Sequence, residues 1–312
     1  MRRHHAGPRD SSRFKYLDRF LYLLLFLGTG LAARGQELWV SHESGKWSER
    51  FNWLDGTPPP NGGGDDLTLR FSGSSDDTII AVNDLGTPFL LNRLILESNS
   101  SNPFTIQGPA SVLQFCGSDP GIKQVGDGTV ILDHAVTLAS ASGVTLIEGQ
   151  GDGTVVLNGR IDESSRQALH VHMAPSSNVL DQVVLAGNNG FTGGVILEAG
   201  NLALQSSTGL GTGTLEVHGG TLQISSPLTI GNNIELHADL VITRTGTATL
   251  AGVISSAGNY GVIVQGAGGI PGPLRFTEAA TYTGATIITE KTLTKGSLQL
   301  AGNGSLLHTS EI

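Results

Sequence analysis

The sequence predicts an all-β fold, a parallel β-helix solenoid in which short strands stack rung upon rung. Three observations lead there. Gly supplies 44 of the 312 residues, whereas charged residues are 14 % and aromatics 5 %; Gly disfavours helix interiors, and the β-branched residues around it suit a pleated surface. Short apolar runs such as LTLRF (67–71), TIIAV (78–82), TVILD (129–133) and TVVLN (154–158) are bounded by Gly, Asn, Asp or Ser, the residues of tight turns. The runs also recur: GDGTVIL at 126–132 returns as GDGTVVL at 151–157. Helical periodicity is not sustained beyond the first 35 residues. Gly without a three-residue period excludes collagen, and a single cysteine excludes a disulfide scaffold or a zinc cluster.

The segment 1–35 reads as a signal peptide. Arg2, Arg3, Arg9, Arg13, Lys15 and Arg19 lead into the apolar run 20–27, and small residues from Gly28 to Ala33 place cleavage after Ala33 or Gly35. The run is shorter than the roughly 20 residues that span a bilayer. Removing the seven basic and two acidic residues of this segment turns the formal charge from −9 to −14 on the remainder. An acidic body without a basic cluster argues against nucleic acid as a partner.

Residues 36–64 carry all three tryptophans and end in Pro58, Pro59, Pro60, Asn61 and three glycines. They read as an N-terminal aromatic cap and turn, shielding the open end of a strand stack. The other reading of Trp39, Trp47 and Trp53 is a ligand-binding site on which sugar rings stack. Residues 65–182 read as degenerate rungs, and 183–312 as more regular ones, expected to be truncated at the carboxy-terminus.

The period sets the rung. GTGTLEV (211–217) is a third relative of the GDGT copies, LNGRI (157–161) is echoed by LAGVI (250–254), and LAGNNGFTGGVILEAGNLAL (185–204) is partly repeated at 274–300, with Tyr282, Thr283 and Gly284 in place of Phe191, Thr192 and Gly193. Units of about 20 to 25 residues fit a coil of about 12 rungs, with glycines such as Gly126, Gly151, Gly193 and Gly200 at the corners.

The unit 185–204 resembles the autotransporter-associated β-strand repeat, L-x-G-x-N-x-[YF]-[TS]-G-x-[TV]-x-[IVL]-x-x-G-x-L-x-[LV]. Leu185, Gly187, Asn189, Phe191, Thr192, Gly193, Val195, Leu197, Gly200, Leu202 and Leu204 carry the match. The run from Trp47 through Asn52, Trp53, Gly56 and Pro58 is similar to the start found after the signal peptide in such proteins. The resemblance implies a right-handed parallel β-helix that serves as a surface-displayed or secreted passenger of a bacterium with an outer membrane. In that layout a carboxy-terminal barrel follows, whereas this sequence stops at Ile312: the expectation is a fragment, a soluble exported relative, or a chain whose outer-membrane translocator or anchor is supplied from outside it.

Chemistry-bearing residues are few. Asp127 and Asp152 hold the same place in the two GDGT copies, so one rung of about 5 Å separates them, a spacing compatible with a glycosidase acid pair or calcium, as well as with a plain turn repeated by duplication. His170 and His172, two apart on a strand, share one face and are candidate metal ligands. Asp133-His134 is only superficially like part of a hydrolytic triad, and Cys116 reads as a lone buried thiol. No cofactor is expected. Two functional readings follow: a non-enzymatic, exported stalk with a structural or adhesive role, monomeric, with a surface glycan or protein receptor as partner; or a carbohydrate-binding β-helix or one that cleaves polysaccharide as a glycoside hydrolase or polysaccharide lyase.

Overall fold

In the computed structural model, which describes residues 36–73, 77–150, 152–174, 182–225, 227–266, 272–291, 294–295 and 297–309, each turn of chain pairs its backbone with the turn before it. The proposed signal peptide and its cleavage points lie outside the described residues, as does Gly151. One sheet of twelve strands runs from Gln36–Trp39 to Ser305–Leu306, and a second of fourteen strands begins at Gly45–Lys46. In most turns a third side is a strand that follows the second sheet and precedes the next strand of the first; after Gln182–Leu185 and Asn201–Leu204 it is made of turns instead. Early in the coil this side is formed by Phe89–Leu91, the far halves of Phe104–Phe115 and Thr129–Leu138, and Ile161–Glu163. Later it is a separate four-stranded sheet, Leu228–Ile230, Ala248–Leu250, Leu274–Phe276 and Leu298–Leu300. Among the described strands every ladder is parallel except the hairpin Glu290↔Lys295, so the fold is a parallel β-helix.

Strand alternation sends every second side chain inward, and parallel register stacks like on like. In the second sheet Ile79, Phe104, Val130, Val155, Val183, Leu202, Leu222, Ile242 and Val264 form one unbroken buried column. Full burial of such a side chain is worth about 1.5–3 kcal/mol. Two long polar side chains, Gln124 and Arg244, take core positions in these columns. Gln124 follows Phe71 and Leu96 in its column and donates from Nε2 to the carbonyls of Gly126 (2.8 Å) and Gly128 (3.1 Å), bracing the GDG corner from inside. Arg244 follows Ile224, and its guanidinium donates to Gly272 O (2.8 Å) and to Ser297 O and Oγ (3.0 and 3.1 Å), residues of the next two rungs.

Rung length varies along the coil. Thr129 pairs with Thr154, so the two GDGT copies are true successive rungs. The rung then shortens, with Val195 paired to Leu215 and Leu215 to Ile234. It lengthens again where Ile254 pairs with Ala280. The other sequence echoes are displaced by one side of the coil. TVIL of the GDGT copy lies in the second sheet, whereas Leu215–Val217 of GTGTLEV lies in the first. Phe191-Thr192-Gly193 precede the first-sheet strand Val195–Ala199, but Tyr282-Thr283-Gly284 precede the second-sheet strand Thr286–Lys291. All corners make the same demand on the backbone, so the same short motif serves any of them.

The demand is close approach. At the glycine of three L-x-G corners a Cβ would stand about 2 Å from a carbonyl oxygen of the preceding rung: 1.8 Å for Gly159 against His134, 2.1 Å for Gly187 against Gly159, and 2.1 Å for Gly252 against Asn232; at a fourth, Gly302, the glycine serves a φ of +60° instead. Gly193 meets Gln167 O in the same way, at 2.2 Å, while Gly200 is needed for its φ of +87°. The repeat's asparagine is buried and joins three rungs: Asn189 Oδ1 accepts from the Ile161 amide (2.9 Å) and its Nδ2 donates to Gly209 O (2.7 Å). Asn232 does half of this, its Nδ2 donating to Gly211 O and Gly213 O of the preceding rung.

Gly193→Ala is expected to cost about 1–3 kcal/mol in urea unfolding. Gly231→Ala, where an added Cβ meets nothing within 4 Å, is expected to stay within about 0.5 kcal/mol. Equal losses at the two positions would refute the close-approach account.

Candidate functional site

At the N-terminal end, the three tryptophans face inward. Trp39 and Trp47 are 0 % exposed and Trp53 2 %. Trp53 meets Trp39 edge-on at 5.5 Å and Trp47 at 6.4 Å, and Trp47 packs on Phe89 at 5.1 Å. The Trp53 indole N–H donates to Trp47 O (2.7 Å). Trp39 ends the first-sheet strand Gln36–Trp39, Trp47 follows the second-sheet strand Gly45–Lys46, and Trp53 bridges back to Trp39, so the rings close the end of the core. With both faces packed, none of the three offers a surface to a sugar ring, which corrects their reading as a ligand site. Phe51, on the short 3-10 turn Arg50–Asn52 between Trp47 and Trp53, is the aromatic that points out, 83 % exposed.

Asp127 and Asp152 are brought together as the repeat predicts, one rung apart. Asp127 Oδ1 accepts the Asp152 amide at 3.1 Å, and Asn99 Oδ1 accepts the Asp127 amide at 2.9 Å. Side chain thus caps backbone from rung to rung at this corner, in the manner of an Asx turn. That geometry directs an Asp127 oxygen to a protein amide.

The outer face of the first sheet carries a run of charged side chains. In the early rungs it is cross-linked: Arg70 pairs with Glu97, Arg93 with Asp119 and Glu148, and Lys123 with Glu148 at 3.5 Å. Further along it changes character, and His170 and His172 appear on the outward face of Ala168–Met173. Their ring centroids are 6.4 Å apart and tilted by 49°, and His170 Nε2 stands 3.7 Å from Glu198 Oε2, beyond hydrogen-bonding reach. Among the described residues no three His, Cys, Asp or Glu side chains surround a common point.

Two further histidines on this face were not singled out from the sequence. Glu216-Val217-His218 and Glu235-Leu236-His237 lie in successive rungs, with Glu216 in register with Glu235. The His218 and His237 rings stack in parallel, 4.5 Å apart at 1°, and His237 Nε2 lies 3.3 Å from Glu235 Oε1. The same Glu-apolar-His triplet, recurring at the distance of one short rung, was the available signal.

Asp133 and His134 diverge because a strand alternates. Asp133 points out and accepts from Asn158 Nδ2 at 2.9 Å. His134 points in, 2 % exposed, with Nδ1 2.9 Å from Ser111 Oγ, where no substrate reaches it. Burial holds its imidazole below the ordinary range, against the opposing influence of the Ser111 carbonyl and the Asp133 charge. Cys116 is half-buried instead of core; burial, then Asp65, push its thiol pKa up, against the Leu91 backbone hydrogen bond.

Two outcomes follow. Asp127→Asn keeps an acceptor oxygen and is expected to leave stability nearly unchanged, whereas Asp127→Ala is expected to lose about 1 kcal/mol in urea unfolding. Because the folded pKa of His134 is depressed, the unfolded chain binds more protons as pH falls below about 6.5. Its contribution to stability is full above that value and is lost on acidification, so the urea midpoint is expected to drop between pH 7.5 and 5.5, less so in His134→Gln.

Among curated proteins, the chain is similar to the adhesin BmaC autotransporter of Brucella suis biovar 1 (strain 1330), with 26 % identity over 232 residues. The match covers 70 % of this chain and 6 % of that protein, so the chain spans a small part of its relative's length. No family model matches the chain, and no solved structure matches it. A parallel β-helix that is similar in sequence to an autotransporter adhesin is passenger-like, as the repeat resemblance led one to expect.

Proposed function

We propose that this chain is a non-enzymatic, surface-displayed or secreted stalk of a bacterium with an outer membrane, and that it serves adhesion. The observation that carries the reading is the similarity to an adhesin across 70 % of the chain, which coincides with a fold that is mostly outward surface. A parallel coil has a thin core and a long exterior, and extended surfaces of this kind suit contacts with large partners. The partner is a surface glycan or a protein receptor. The outward side chains that would meet it stand on a rigid ladder, which lowers the ordering cost of binding.

Beads coated with the purified protein are expected to adhere saturably to host-cell monolayers or to spots of a glycan array, above albumin-coated beads. Cells of an outer-membrane bacterium expressing the chain with its native leader are expected to lose it to externally added protease. Adhesion no better than albumin would sink the adhesive reading. Depolymerisation of any polysaccharide in a broad panel, abolished by Asp127→Asn, would replace it with the enzymatic one.

A further inference from the structure

We propose that the outer face of the second sheet is a self-association surface, on which a second copy of this chain docks face to face. Strand alternation turns two columns of side chains outward there. One runs in register from Thr129 to Ile287 and the other from Ile80 to Thr243. Thr, Gln, Asn, Ala, Val and Ile fill them, and among the described residues neither column holds a charge. The −14 formal charge of residues 36–312 lies elsewhere; the outer face of the first sheet alone bears Glu148, Glu198, Glu216 and Glu235. The sequence read alone points to a monomer, because this segregation of charge appears only when register assigns each side chain to a face.

Charge, area and pattern select a second copy as the occupant. Two acidic bodies repel each other, and an uncharged face is where they touch without opposing carboxylates. From Ile80 to Ile287 the rungs, about 4.8 Å each, make the face about 40 Å long, and its four-residue strands make it about 13 Å wide. A face-to-face contact then covers on the order of 1,100 Å² in total, enough for a specific interface at the small end of the range. The pattern is self-complementary. Ile131 and Val156 form an apolar ladder in one column near the start of the face, and Val241, Ile263 and Ile287 form another in the other column near its end, where Ile287 is 45 % exposed. A two-fold contact uses the same patch on both copies, so each ladder comes to lie beside one of the partner's. Between the ladders, Gln182 Nε2 donates to Gln223 Oε1 at 3.4 Å, spanning the intervening strand with its small, buried Ala203. Covering that stretch buries amides and hydroxyls but no charge.

Sedimentation equilibrium of the purified protein at pH 7.5, over low to high micromolar concentrations, is expected to show a reversible dimer. Val156→Glu and Thr221→Glu set like charges against each other at outward positions of the face, and each is expected to raise the dissociation constant about tenfold or more. Ser255→Glu adds the same charge to the outer face of the first sheet and is expected to leave the dimer unchanged; the comparison is made among variants whose far-UV spectra and urea midpoints match the parent. Raising NaCl from about 0.05 to about 1 M, which shortens the Debye length to about 3 Å, is expected to tighten the dimer, since repulsion between the bodies is screened and no ion pair crosses the face. A chain that stays monomeric, a dimer untouched by both face variants, one weakened equally by Ser255→Glu, or one dissolved by salt would each overturn the proposal. Loss of adhesion to a glycan array by the two face variants of a monomeric chain would assign the face to a saccharide instead. Sedimentation is read without any receptor, so its outcome is independent of the adhesive function.

Discussion

Each rung of this protein must lie flat on the one before it, amide to carbonyl, through every turn of the coil. That single requirement determines the composition. Strands satisfy it easily, because parallel pairing leaves their side chains free to point in or out. Corners do not, because the chain must change direction while staying one backbone thickness from its neighbour. Gly159, Gly187 and Gly252 occupy corners where even a methyl group would overlap a carbonyl oxygen. Asn189 and Asn232 supply the hydrogen bonds that a corner, lacking a ladder, would otherwise leave unmade.

This explains which parts of the fold could be read from the sequence. Corner residues are specific, so their recurrence revealed a coil and its approximate rung. Because every corner makes the same demand, the recurrence did not reveal which side of the coil a motif occupies. Phe191-Thr192-Gly193 and Tyr282-Thr283-Gly284 are alike in sequence and stand at different corners. The interior was legible where it is apolar and illegible where it is polar. Gln124 and Arg244 look like surface residues by type, and only the register shows them beneath Leu96 and Ile224.

The candidate sites divide in the same way. Stacking of Asp127 on Asp152 followed from the period. The inward turn of the tryptophans did not, since an aromatic cluster at a chain end reads equally as plug or platform until its neighbours, Phe71 and Phe89, are known. The His218–His237 stack was within reach of the sequence, but it needed the short rung that joins Leu215 to Ile234, where the clearest repeat gave the longer one from Thr129 to Thr154. Outward chemistry on such a coil is written across rungs, so a wrong period hides it.

Arg244 bears on how the coil comes apart. A stack whose rungs touch only their immediate neighbours behaves as a one-dimensional chain of couplings, in which a local opening need involve only one contact. By bonding to Gly272 and Ser297, Arg244 adds a coupling that skips a rung. Any opening of the intervening turn must therefore break the pin or carry its neighbours with it, so cooperativity in this stretch extends over three rungs.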